Sequence, residues 1–214
     1  IKNHPSLTAL AFFQKLSPNH YVSNLDVWGY TIQDYPSFWF YIPGNTQSKY
    51  LVEFSLEEQD TRKIVYKTEI VTPNQSGIVE IALPETISPL EVSKPYRWVL
   101  STTCEPGRSS DYRPTIQGVV IRIRLDQKLI EELSTATPLQ QATLYATNGI
   151  WYDALTALAQ LRQKFPQDNQ IISNWRSLLQ SVDLAEMVDQ PFVKGAAVTT
   201  SALRNVPDSQ NRCR

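Results

Sequence analysis

Glycine, histidine and cysteine are all scarce in this chain of 214 residues: seven, two and two. So few glycines leave little material for phosphate-cradling loops, and no Gly-rich phosphate loop, G-x-S-x-G elbow or H-E-x-x-H pair occurs. Both histidines, His4 and His20, fall in the irregular N-terminal stretch. Cys104 with His20 would be a nucleophile and a base, but nothing in the sequence brings them together, and a cysteine near a strand end is ordinarily packing. The chain is therefore expected to be non-catalytic, with no cofactor and no metal. Two cysteines cannot build the dense disulfide framework of a small secreted domain. Cys104 and Cys213 can form one bridge or stay free.

An excess of either charge is missing too. Twenty basic and 21 acidic residues give a net charge of −1, without the basic face that nucleic acid needs for counterion replacement. No apolar run approaches the roughly 20 residues of a membrane span, so the chain is not expected to cross a membrane. It starts at Ile1 rather than Met and shows no signal peptide. The expectation is an exported protein, periplasmic or extracellular, whose targeting segment has been removed. Abundant Thr, Ser, Gln and Asn fit that expectation.

What is present is a folded composition, 42% hydrophobic and 19% charged, in two halves of different period. Residues 1–125 read as β. Runs rich in aromatic and β-branched residues extend over Trp28–Gln33, Ser37–Ile42, Tyr50–Leu56, Lys63–Val71, Gly77–Leu83, Tyr96–Cys104 and Thr115–Leu125. Turn-forming stretches such as Pro43-Gly44-Asn45 and Pro73 to Gly77 separate them. Val52, Phe54 and Leu56 alternate with polar neighbours, as do Val119, Ile121, Ile123 and Leu125. Strands this short with turns at this spacing predict an antiparallel β-sandwich. Tyr96-x-Trp98 entering a strand gives it an immunoglobulin-like look, with a large aromatic in the inter-sheet core.

Residues 126–192 turn helical. Thr137-Pro138 is an N-cap followed by proline in the first turn. After Gly149, Trp151, Ala154, Leu155, Leu158, Leu161 and Phe165 form one stripe, and Pro166 ends it. A further helix near 169–181 carries Ile172, Trp175, Leu178 and Leu179. In "ATLYATNGIWYDALTALAQLRQKFP", Ala142, Tyr145, Gly149, Ala154 and Pro166 resemble the offsets of a single tetratricopeptide repeat, about 34 residues long. One repeat cannot stack into a solenoid, so the hairpin, with its capping helix, must bury its apolar face on the β half or on another protein. The overall expectation is an α+β chain: sandwich, helical hairpin with cap, and a polar tail over 193–214. Alone that tail should be disordered. An ordered tail would fold back, be tied by Cys213 or lie along a neighbouring subunit, which favours an assembly role.

Three places invite a functional reading. In "SFWFYIP", Phe38, Phe40 and Ile42 share one face and Trp39 and Tyr41 the other. With Tyr35 they would make a platform for sugar rings; the simpler reading is that the helical hairpin covers them. "EEQD", 57–60, lacks the D-x-D spacing and glycine of a calcium loop and reads as a solvated turn. "CEPGRSSDYR" gathers Glu105, Arg108, Asp111 and Arg113 in one loop. Its exposed pairs are worth well under about 1 kcal/mol, but loops carry recognition while a sandwich positions them. A groove beside Trp151 and Tyr152 is a further candidate.

Read in order, "LTAL", "YPSFWFYIP", "GIVEIALP", "PLEVSKPYRWVLSTTCEPGRSSD", "ATLYATNGIWYDALTALAQLR" and "NWRSLLQSVDL" resemble a family of cyanobacterial proteins, over about Leu7 to Phe192. That family is predicted to be exported and is catalogued as a domain of unknown function. The resemblance implies an envelope or extracellular location and no established activity. Members often carry a cysteine just before "LTAL"; here His4 and Pro5 stand there, which leaves Cys104 without its expected local partner. The function expected is an envelope interaction or scaffolding module. It would bind other proteins, or a second copy of itself, through Tyr35, Trp39, Tyr41, Arg108, Asp111, Trp151 and Tyr152. The alternative is carbohydrate binding on the Trp39/Tyr41 strand face, with a glycan as partner.

Overall fold

A computed structural model describes residues 6–11, 28–44, 51–102, 115–194 and 196–197. Within it, alternation of side chains decides how the strands lie. Strand β4, Leu51–Glu58, buries Val52, Phe54 and Leu56 and leaves Glu53 and Ser55 half covered. Strand β7, Pro95–Thr102, does the same with Tyr96, Trp98 and Leu100. These two pair antiparallel, Phe54 opposite Leu100 and Leu56 opposite Trp98, so their apolar faces merge into one surface.

That surface belongs to a six-stranded sheet in the order β2-β8-β7-β4-β5-β9. Strand β2 is Trp28–Thr31, β8 Thr115–Arg122, β5 Ile64–Val71 and β9 Ala196–Ala197. The sheet is mixed, because β2 runs parallel to β8 while the other neighbours are antiparallel. A smaller antiparallel sheet has the order β1-β3-β6, with β1 Thr8–Ala9, β3 Ser37–Ile42 and β6 Gly77–Ala82. Phe38 and Phe40 of β3 reach Phe54 and Trp98 of the larger sheet, with ring centroids 5.2 to 6.4 Å apart. This aromatic layer is the centre of the core.

Four helices follow: α1 Gln127–Thr135, α2 Pro138–Thr147, α3 Trp151–Lys164 and α4 Asn169–Gln180. The chain is thus α+β, with two open sheets and four helices among the described residues. Thr137 closes a capping box with Gln140, and Pro138 occupies the first turn. Asp126 and Asp168 cap α1 and α4. Gly149, at φ +72°, turns α2 into α3; an added Cβ would meet nothing there, so the backbone angle alone favours glycine. Two details differ from the sequence pattern. Phe165 is exposed because α3 stops at Lys164 and leaves it outside the stripe. On α4 the buried isoleucine is Ile171, not Ile172, because Ile171, Trp175 and Leu178 share a face and Ile172 lies about 100° round the helix.

Helix α3 joins the helices to both sheets. The Trp39 indole N–H donates to Thr156 Oγ1 at 3.0 Å, and its ring meets Phe192 edge-on at 5.8 Å. Trp39 is 3% exposed and Tyr41 2%. The alternative reading of this strand face as a sugar platform is therefore corrected: both faces of β3 are core, and neither ring can lie flat against a ligand. The "EEQD" turn is held by cations, Arg97 bonding Glu57 at 3.0 Å and Lys94 bonding Glu58 at 2.9 Å.

Candidate functional site

Three elements, β2, α2 and α3, line two separate concavities. Along β2 the side chains alternate. Trp28 and Tyr30 point outward, each 44% exposed, while Gly29 and Thr31 are buried. Along the first turn of α3, Trp151 and Asp153 are two residues apart, about 200° round the helix axis. Trp151 lines one concavity and Asp153 the other.

The first is an apolar groove of about 520 Å³. Trp28 and Tyr30 form one wall and Trp151 and Leu158 of α3 form another. Ala142 and Ala146 of α2 and Leu178 of α4 complete its apolar surface. Small side chains at Ala142 and Ala154, both fully buried, let α2 and α3 approach closely. Trp151 is fixed by donating its indole N–H to the Leu10 carbonyl at 3.1 Å. The polar lining consists of hydroxyls and an amide: Thr143, Thr147, Asn174, Ser177 and Ser181. Thr143, Thr147 and Ser181 donate to carbonyls of their own helices, as does the Asn174 amide. Their lone pairs are left to accept. No lining side chain is charged.

The second concavity, of about 330 Å³, is polar. Thr31, Gln33 and Tyr35 come from β2 and the loop after it, Tyr145 from α2, and Asp153, Thr156 and Gln160 from α3. Asp153 is 5% exposed. Its Oδ2 accepts the Ile32 backbone N–H at 3.2 Å and its Oδ1 accepts the Gln33 amide at 3.0 Å. Burial pushes its carboxyl above the ordinary carboxylate value, because bonds from Thr31, Gln33 and Ile32 offset only part of the desolvation. Tyr145 is pushed up as well, by burial first and then by the Asp153 charge. The loop carrying Tyr35 is pinned: Ile123 N–H donates to the Thr31 carbonyl at 2.8 Å, Leu90 N–H to the Asp34 carbonyl at 3.0 Å, and Arg122 pairs with Asp34.

Tyr152 lines the polar pocket and anchors α3 to the larger sheet. Its hydroxyl accepts the Trp98 indole N–H at 2.7 Å and donates to the Val119 carbonyl at 3.3 Å. Burial raises its phenol well above the usual range. Of the residues singled out from sequence, Trp151 lines the groove and Tyr35 and Tyr152 line the polar pocket, whereas Trp39 and Tyr41 are interior. Cys104, Arg108, Asp111 and Cys213 lie outside the described residues, as do His4 and His20.

Sequence reading missed Trp28 and Tyr30 as a pair, although W-x-Y on a short strand places both rings on one face. It also missed Asp153. An acid in the first turn of a helix normally complements the dipole in solvent, and only its place inside an apolar stripe hinted at burial.

No curated protein matches the chain. A family model matches residues 2–192. With nearly the whole chain covered, the protein belongs to the family described as Domain of Unknown Function (DUF928).

Proposed function

We propose that the protein is a non-catalytic interaction module whose apolar groove receives a segment of another protein. The observation that carries this reading is the pair Trp28 and Tyr30, held 44% exposed beside a groove with no charged lining. Half-exposed aromatics at a concave apolar surface are the usual anchors of a protein interface. A volume of about 520 Å³ falls within the roughly 300–1,000 Å³ range of small-molecule pockets. The lone pairs of Thr143, Thr147 and Ser181 suit N–H or O–H donors on the occupant. Its chemistry follows: a short, uncharged segment with apolar or aromatic side chains and donors along its edge.

This reading carries with it the finer expectations from sequence. The two facing sheets with Trp98 between them support an immunoglobulin-like sandwich. The α2–α3 pair turning at Gly149 supports a tetratricopeptide-like hairpin. The cyanobacterial origin and exported envelope location implied by the resemblance belong to the same proposal and rest on sequence.

The test is selection of peptides from a random display library on the full chain, followed by affinity measurement against the Trp28→Ala/Tyr30→Ala double variant. Uncharged, aromatic-rich peptides should emerge and weaken by about tenfold or more in the variant, as expected for interface anchors. Peptides selected for charge, or indifferent to both substitutions, would overturn the proposal. Self-association lost in the same variant would make a second copy the occupant instead.

A further inference from the structure

The polar pocket is a different kind of site from the groove. We infer that it binds a neutral polyol the size of a single pyranose ring. Its donors and acceptors are numerous and uncharged apart from Asp153. The phenols of Tyr35 and Tyr145 and the amide of Gln160 have no hydrogen-bond partner among the described residues. Thr156 accepts from Trp39, and its own O–H remains to donate. Gln33 gives an amide N–H to Asp153, which fixes the amide plane and leaves its oxygen as an acceptor. Two half-buried tyrosines stand among these groups, so apolar ring faces and polar edges are offered together. A pyranose has this same mixed surface of C–H faces and O–H edges.

Charge decides between ligand classes. No lysine or arginine lines the pocket, so an anion would meet the Asp153 carboxylate without compensation. A cation fares little better. The carboxylate oxygens are already taken up by Ile32, Gln33 and Thr31, and the positive end of α3 lies beside them. A ligand rich in hydroxyls and free of charge satisfies the exposed groups without either penalty. Asp153 is a positioning residue here: it holds Gln33 and the end of β2 in place. The volume of about 330 Å³ is near the lower end, roughly 300 Å³, of ligand pockets, which suits one ring rather than an oligosaccharide.

The site is independent of the groove, and the experiment keeps them apart. Titrate the full chain with methyl glucoside, galactoside and mannoside and with myo-inositol, using glucuronate and glucosamine as charged controls, and follow binding by calorimetry and tyrosine-ring NMR shifts. At least one neutral probe should bind in preference to its charged counterparts. Gln160→Ala and Tyr145→Phe, an exposed helix position and loss of one hydroxyl, should each weaken it about threefold to tenfold, the effect of losing one hydrogen bond. Trp28→Ala should leave it unchanged. No binding by any neutral probe overturns the inference. So does tighter binding of glucosamine or glucuronate, or binding lost in Trp28→Ala but kept in the two pocket variants.

Discussion

The groove and the polar pocket share three lining elements, yet one is apolar and the other is built around a buried acid. Strand β2 gives Trp28 and Tyr30 to the groove and Thr31 to the pocket. Helix α2 gives Ala142 and Ala146 to the first and Tyr145 to the second; α3 gives Trp151 and Leu158 against Asp153 and Gln160. Each division follows from the period of its element, two for a strand and 3.6 for a helix. One backbone framework therefore carries two unrelated chemistries, and a single substitution can alter one without the other. A buried residue that ties α3 to the larger sheet instead supports the framework on which both depend.

Tyr152 is that residue, and Tyr152→Ala is expected to have the largest effect. It removes a buried ring that packs on Phe38 at 5.2 Å and strands the Trp98 indole N–H. Large-to-small changes of this kind cost about 3–5 kcal/mol. Urea denaturation of the variant should show that loss. A cost below about 1 kcal/mol, the size of a minor substitution, would mean that α3 is held on the sheet without this ring.

Gly29→Ala tests the same contact from the strand side. A Cβ at Gly29 would lie 2.6 Å from Tyr152 Cε2. The ring is held by two hydrogen bonds at its hydroxyl, one accepted and one donated, and has little room to yield. Overpacking of this sort costs about 1–3 kcal/mol, which thermal unfolding would resolve. Restoration of wild-type stability in the double variant Gly29→Ala/Tyr152→Phe would show that the hydroxyl bonds, rather than the packed helix, keep the ring in place.

Much of this fold was legible in the sequence, and the limits have physical causes. The strands from Trp28 to Arg122 and the helices after Thr137 follow from alternation, from the Thr137-Pro138 helix start and from Gly149. Those signals are local, and the structure kept them. The parallel pairing of β2 with β8 was not legible, since it joins residues about 90 apart through no local motif. The pieces Thr8–Ala9 and Ala196–Ala197 are too short for any period to mark. For the sites, "SFWFYIP" showed two apolar faces and the helical hairpin as the simpler cover for the second, but not the residues that meet it. Thr156 and Phe192 do so, from more than 100 residues away. Asp153 was hidden for the opposite reason: its position is ordinary by sequence, and only the packing of α3 on β2 buries it.

The smallest effect expected, a pH slope rather than a loss of stability as such, is also the most specific to one side of the comparison. Burial raises the Asp153 carboxyl above its ordinary value of 3.8, so the folded chain holds that proton more tightly than the unfolded one. Its contribution to stability is then fully present below the ordinary value and is lost as pH rises through the raised one. Asp153→Asn removes this titration. It also sets an amide N–H against the donors Ile32 and Gln33, so the variant should be less stable overall by about 1–3 kcal/mol, as for an unsatisfied buried group. The two effects separate by pH. The stability difference, wild type minus variant, should shrink as pH is raised from 3 toward neutrality; the lining residue Tyr145, itself raised above 10, stays neutral throughout. Unfolding measured at several pH values on both proteins gives the slope. A difference that grows with pH would mean that the bonds from Thr31, Gln33 and Ile32 outweigh desolvation, and that the pocket holds a stabilised carboxylate rather than a strained one. The groove, with no titratable carboxyl in its lining, should give no such slope: Trp28→Ala should differ from wild type by the same amount at every pH.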